Sequence, residues 1–129
     1  MANEKFLKEL IEEINKVEGF SYDDIKNLDK YSNDISEKVF MLLLEYACLG
    51  QNFAPIELGR NKIKEIQKEW LYDNLLRISR KCIDFSDEWE YRRLVELVVE
   101  VVPELKDELL KIGENSENLE IREVVEDFS

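Results

Sequence analysis

The segment S-D-E-W-E-Y-R-R-L-V-E at residues 86–96 returns without a gap as S-E-N-L-E-I-R-E-V-V-E at residues 116–126. Ser86 aligns with Ser116, Glu90 with Glu120, Arg92 with Arg122, Val95 with Val125 and Glu96 with Glu126. Trp89/Leu119, Tyr91/Ile121 and Leu94/Val124 keep their apolar character. A fixed period of this length is the signature of stacked supersecondary units, because one unit alone cannot bury its apolar face. A second register runs at 34 residues: Leu71, Leu75, Leu76 and Ile78 recur as Leu105, Leu109, Leu110 and Ile112. Met41, Leu42 and Leu44 stand 34 before Leu75, Leu76 and Ile78, and Cys48 stands 34 before Cys82. Arg60, Ile63 and Ile66 match Arg92, Val95 and Val98 at an offset of 32.

The units are helical. Only 4 glycines and 2 prolines interrupt 129 residues, too few breakers for a chain of short strands. Apolar residues recur at three- and four-residue steps throughout. Phe6, Leu7, Leu10, Ile11, Ile14 and Val17 mark a first helix, with Asn3 as its cap and Gly19 as its end. Ser21 with Asp24 predicts a shorter helix through Ile25, Leu28 and Tyr31. Residues 34–49 predict a helix so apolar that it is largely enclosed. Pro55 opens a helix whose face is Ile56, Ile63 and Ile66 and whose middle Gly59 weakens. A helix over Glu69–Cys82 follows. Ser86 is expected to cap a helix to about Val101, Pro103 to start one that Gly113 closes, and Ser116 to cap the last.

This predicts a single all-α domain over 1–129: about eight helices in a short right-handed stack of antiparallel pairs. Residues 1–33 form an N-terminal cap, residues 34–129 the repeats, and the last helix the C-terminal cap. Leu44, Leu75, Ile78, Leu94, Val98, Leu109 and Ile112 are the expected core.

The same composition excludes much chemistry. There is no histidine, which removes Ser-His and Cys-His nucleophiles and most transition-metal sites. The glycines are isolated, so no phosphate-binding loop exists. At this density of acids, carboxylate pairs read as solvated helix faces. The two cysteines form no disulfide framework and are expected as free thiols. No enzyme activity, cofactor or metal is expected. The N-terminus has no apolar leader and no apolar run approaches membrane-spanning length, so a cytoplasmic location is expected.

Net charge is −12. Residues 50–83 carry 7 basic and 4 acidic side chains, whereas residues 84–129 carry 5 basic and 15 acidic ones. A strong negative field is attached to a mildly basic middle. That balance disfavours nucleic acid and anionic membranes as partners.

The acid and arginine at the start of a capped helix (Glu90/Arg92, Glu120/Arg122), followed by a short turn and a leucine-striped second helix, resemble HEAT-type repeats over roughly residues 34–129. In that family the acid and arginine stabilise the stack. The resemblance implies that second helices line a concave binding face. Here that face would present Glu45, Trp70, Tyr72, Asp73, Asp107, Glu108 and Lys111, with Asp73 laddered over Asp107. Trp70 and Trp89 are aromatics beside acids, suited either to anchor an interface or to pack between repeats. Alkylpurine DNA glycosylases, a HEAT-like family, combine tryptophans and an aspartate with a basic groove; Trp70, Asp73 and Trp89 echo this, but the net charge opposes it.

The expected function is therefore binding of a basic protein. The chain resembles small acidic bacterial immunity proteins, which implies neutralisation of a cognate toxin. The alternative is a HEAT-like adaptor in a larger assembly.

Overall fold

The computed structural model describes residues 2–129, with side chains from Glu4 onward. Among them the chain is entirely helical: α1 (Ala2–Asn15), a 3-10 segment (Tyr22–Lys30), α2 (Asn33–Ala47), α3 (Phe53–Ile63), α4 (Lys68–Cys82), α5 (Glu88–Val101), a 3-10 turn (Pro103–Leu105), α6 (Lys106–Glu114) and α7 (Leu119–Phe128). No described helix is long and apolar enough to cross a membrane.

Helix α2 is the hub, packing on α1, α3, α4 and α5. Helix α5 organises the C-terminal half, packing on both α6 and α7. One continuous core results. Leu44, Leu75, Ile78, Leu94, Val98 and Leu109 are completely buried, as the stripes predict, whereas Ile112 is half-buried. Tyr91 and Ile121, Leu94 and Val124, and Val95 and Val125, which align at the 30-residue offset, are all buried.

Several helix ends differ from expectation. Asp87, not Ser86, caps α5; its carboxylate accepts from the Trp89 and Glu90 N–H groups, both at 3.0 Å. Ser86 is instead drawn back to Asp84. Asn118, not Ser116, caps α7, while the Ser116 hydroxyl accepts from the Asn118 N–H at 3.1 Å. In each case an Asp or Asn, as good a cap as serine, stands one or two residues beyond it and takes the role. Ser32 does cap α2, accepting from the Ile35 N–H. The cap expected at Asn3 lies outside the described side chains.

The segment from Tyr22 is 3-10 rather than α, with non-helical angles at Asp24 and Asn27. Local side-chain bonds explain this: the Asp24 carboxylate accepts from Asn27 Nδ2 at 2.7 Å and from the Tyr31 hydroxyl, competing with the backbone ladder.

Two glycines have roles other than those expected. Gly59 does not weaken α3 so much as let it touch α2: a Cβ there would stand 2.5 Å from the Ala47 backbone nitrogen and 2.8 Å from the Leu43 carbonyl oxygen. Gly113 does not close α6; it lies inside that helix, under the Tyr91 ring and against Val125.

Ion pairs run between elements distant in sequence. Arg60 on α3 binds Glu96 on α5, Lys64 binds Glu100, and Lys68 binds Glu104, each 36 residues on. Arg92 on α5 reaches Asp127 on α7 at 3.0 Å. Burial opposes ionisation of Glu96, but hydrogen bonds from Arg60 and Arg93 outweigh it and hold its pKa below the ordinary value.

Candidate protein-binding surfaces

The eight residues expected at a partner surface fall into separate places. Tyr72 and Asp73 are exposed on α4, and Glu108 faces them from α6 across a groove of about 370 Å³. Leu76 and Leu105 line its apolar part, and Arg77 and Arg80 also border it. Arg77 is engaged by Glu37 at 3.2 Å and Asn74 at 2.8 Å. Asp73 shares this groove with Glu108, while Asp107 and Lys111 are exposed on α6 and do not line it.

Trp70 is half-buried. Its ring stands edge-on to Phe40 with centroids 5.0 Å apart, and its open side meets Asp29 and Asp73 in a shallow recess. It packs against the core, so the packing role weighs more than the anchor role.

Glu45 and Trp89 meet elsewhere, in a concavity of about 450 Å³ floored by Cys48, Leu49 and Ile83 and rimmed by Asp87 and Glu90. Trp89 is half-exposed and held by Arg93, whose guanidinium carbon is 5.2 Å from its ring centre. Arg93 is itself fixed: Nε donates to the Gly50 carbonyl at 2.8 Å and Nη1 to both Glu96 oxygens at 2.9 and 3.0 Å. On its other side lies Phe53, 73% exposed and 5.7 Å from the same guanidinium. Arg93, Phe53 and Leu49 escaped the sequence reading. The one signal was Phe53, an apolar residue in a polar loop just ahead of Pro55.

A further groove, of about 700 Å³, lies between the end of α1 and the outer face of α2. Val17, Ile35, Met41 and Leu42 form its apolar surface, all half-buried. Helix α2 is therefore less enclosed than its composition suggests. Glu45 borders this groove as well as the Trp89 concavity.

The electrostatics are one-sided. Of the cations in the basic middle, Arg60, Lys64 and Lys68 bind acids of the C-terminal third, Arg77 and Lys81 bind Glu37, and Lys62 binds Glu65. Arg80 makes no ion pair among the described residues. Acids crowd elsewhere: burial, a hydrogen bond to Glu120 and that residue's charge together raise the pKa of Glu88. Although Glu45 is exposed, the protein around its carboxyl removes enough water to raise its pKa, and no described cation pairs with it.

Cys48 and Cys82 are free thiols. Burial raises the Cys48 pKa strongly, and burial followed by the charges of Glu45 and Glu90 pushes Cys82 up to about 12. At pH 8 a thiol with that pKa is ionised in only about one molecule in ten thousand, so both should react slowly with a disulfide reagent in the folded protein. Thiol titration should find two fast groups only after denaturation. Fast stoichiometric labelling of native protein at pH 8 would contradict this burial.

Among the described residues, no group of three or more Cys, Asp or Glu side chains is placed to hold a metal ion. Compared with protein-family models, with curated proteins and with solved structures, the chain matches none.

Proposed function

We propose that this chain is a non-enzymatic, cytoplasmic binding module for a basic protein, and specifically a bacterial immunity protein that neutralises a cognate toxin domain. One observation carries the reading. Six of the seven cations of residues 50–83, the one stretch with a net positive charge, are engaged by internal ion pairs. Pairing leaves the net charge of −12 unchanged and ties up the one net-basic stretch, so unpaired acids dominate the field that a partner meets. Such a field accelerates encounter with a cationic protein and mimics the phosphate backbone that a nuclease toxin would bind.

A specific observation favours the adaptor reading as second choice. An arginine of one helix binds an acid on the next but one: Arg60, in the last turn of α3, binds Glu96 on α5, and Arg92 on α5 binds Asp127 on α7. This recurrence, with the packing of α1 on α3, α2 on α4 and α5 on α7, supports a short right-handed HEAT-like stack.

The test is affinity capture from the source organism with the chain as bait, at low and high salt. A basic protein should be retained at low salt and released at high salt. The double variant Asp73→Lys/Glu108→Lys reverses two exposed acids of the α4–α6 groove and should retain at least tenfold less of it. Retention of the same partners at every salt concentration and by both baits would remove the electrostatic basis of the proposal.

A further inference from the structure

The outer face of α2 presents Asp34, Lys38, Met41, Leu42 and Glu45, spaced by three and four residues and so on one side of the helix, and Leu49 follows just beyond its C-terminal end. The first five line the 700 Å³ groove, and Glu45 with Leu49 lines the Trp89 concavity. The two concavities are therefore consecutive stretches of one track. Its helical part, Ile35 to Ala47, spans about 18 Å at the α-helical rise, the length of about twelve helical residues, and Leu49 extends it past the helix end. Its surface is apolar: Val17, Ile35, Met41, Leu42, Leu49 and Trp89 are all half-buried or exposed. Met41 adds a side chain able to adapt its shape.

The charge along the track says what covers it. Lys16 is held by Glu13 at 2.8 Å and Lys38 by Asp34 at 3.2 Å, so both cations are matched. Glu18, Glu45, Asp87 and Glu90 border the track with no cation on any of them among the described residues. Asp87 and Glu90 receive only backbone N–H groups. A second copy of this chain would bring the same acids against these, and an anionic membrane surface would be repelled as well.

We propose that this track binds a cationic amphipathic helix of a partner protein, about four turns long, with its apolar stripe on Met41, Leu42 and Leu49 and a lysine or arginine paired to Glu45. Helix-in-groove recognition uses apolar anchors at such three- and four-residue steps. The inference rests on the reading above only in taking the partner to be a basic protein. It concerns a face of its own, apart from the α4–α6 groove.

The experiment titrates isotope-labelled protein with a synthetic eighteen-residue peptide of leucine and lysine, patterned to be an amphipathic helix. A scrambled peptide of the same composition is the control. Amide shifts should concentrate at Ile35, Met41, Leu42, Glu45 and Leu49 and at the Trp89 indole. The scrambled peptide should bind at least tenfold more weakly. Leu42→Glu should weaken binding at least tenfold, and so should Glu45→Lys, an exposed substitution that leaves folding untouched. Shifts centred on Tyr72, Asp73 and Glu108 would overturn the inference while preserving an acidic protein-binding face. Equal binding by Glu45→Lys, or no preference for the amphipathic pattern, would overturn it too. If a basic partner is captured from the organism but this peptide does not bind, the track is wrong and the broader function stands.

Discussion

Gly59→Ala should destabilise the protein by about 3 kcal/mol and lower its melting temperature by roughly 10 °C. The sign makes this informative. In an open helix interior the same substitution stabilises by about 0.8–1 kcal/mol, because alanine is the better helix former. Here the new methyl group would stand 2.5 Å from the Ala47 nitrogen, 2.8 Å from the Leu43 carbonyl oxygen and 3.0 Å from the Ala47 Cα. All three are backbone atoms of α2, which cannot rotate away as a side chain would. Helix α3 must move off its neighbour, and α2 is the element on which α1, α3, α4 and α5 all converge. Thermal melts of the two proteins decide the matter. A rise in melting temperature would show that the helices do not approach so closely.

Gly59 also shows where the sequence stops being legible. A glycine in a helical stretch reads as a weak point, and nothing in the sequence separates that from a point of contact. The all-helical architecture was legible because scarce breakers and three-to-four periodicity agree over the whole chain. Leu75, Leu94 and Leu109 were recognisable as core because each sits mid-stripe. Met41 and Leu42 look equally apolar, yet they line an open groove. An apolar residue says only that it prefers burial; whether a neighbour arrives depends on packing between distant elements. The same holds for charge. Arg60 and Glu96 are 36 residues apart, an offset that matches none of the 30-, 32- and 34-residue recurrences in the sequence, so their pairing follows from how α3 and α5 lie. Of the proposed partner residues, Tyr72, Asp73 and Glu108 meet, as do Glu45 and Trp89, because each group shares an interhelical groove. Asp107 and Lys111, expected on the same face from the resemblance to HEAT-type repeats, do not line either groove.

Gly113→Ala should cost about 2 kcal/mol, and its cost should shrink when Tyr91 is changed to phenylalanine. Tyr91 is completely buried and its hydroxyl donates to the Leu109 carbonyl at 2.8 Å, tying α5 to α6. Tyr91→Phe alone should cost about 1 kcal/mol for that bond. A Cβ on Gly113 would stand 2.5 Å from the Tyr91 hydroxyl oxygen, 2.9 Å from the ring carbon bearing it and 2.7 Å from Cγ2 of Val125 on α7. Removing the oxygen eliminates the closest contact but leaves the other two, so relief should be partial. The double variant should lose about 2 kcal/mol, short of the roughly 3 kcal/mol that independent effects would add to. Urea unfolding of the four proteins in the cycle measures this. Additivity within about 0.5 kcal/mol would mean that the hydroxyl does not lie over Gly113. Coupling would tie α5, α6 and α7 together at one point. The same junction holds like charges close together, since burial, a hydrogen bond to Glu120 on α7 and that residue's charge raise the pKa of Glu88 on α5.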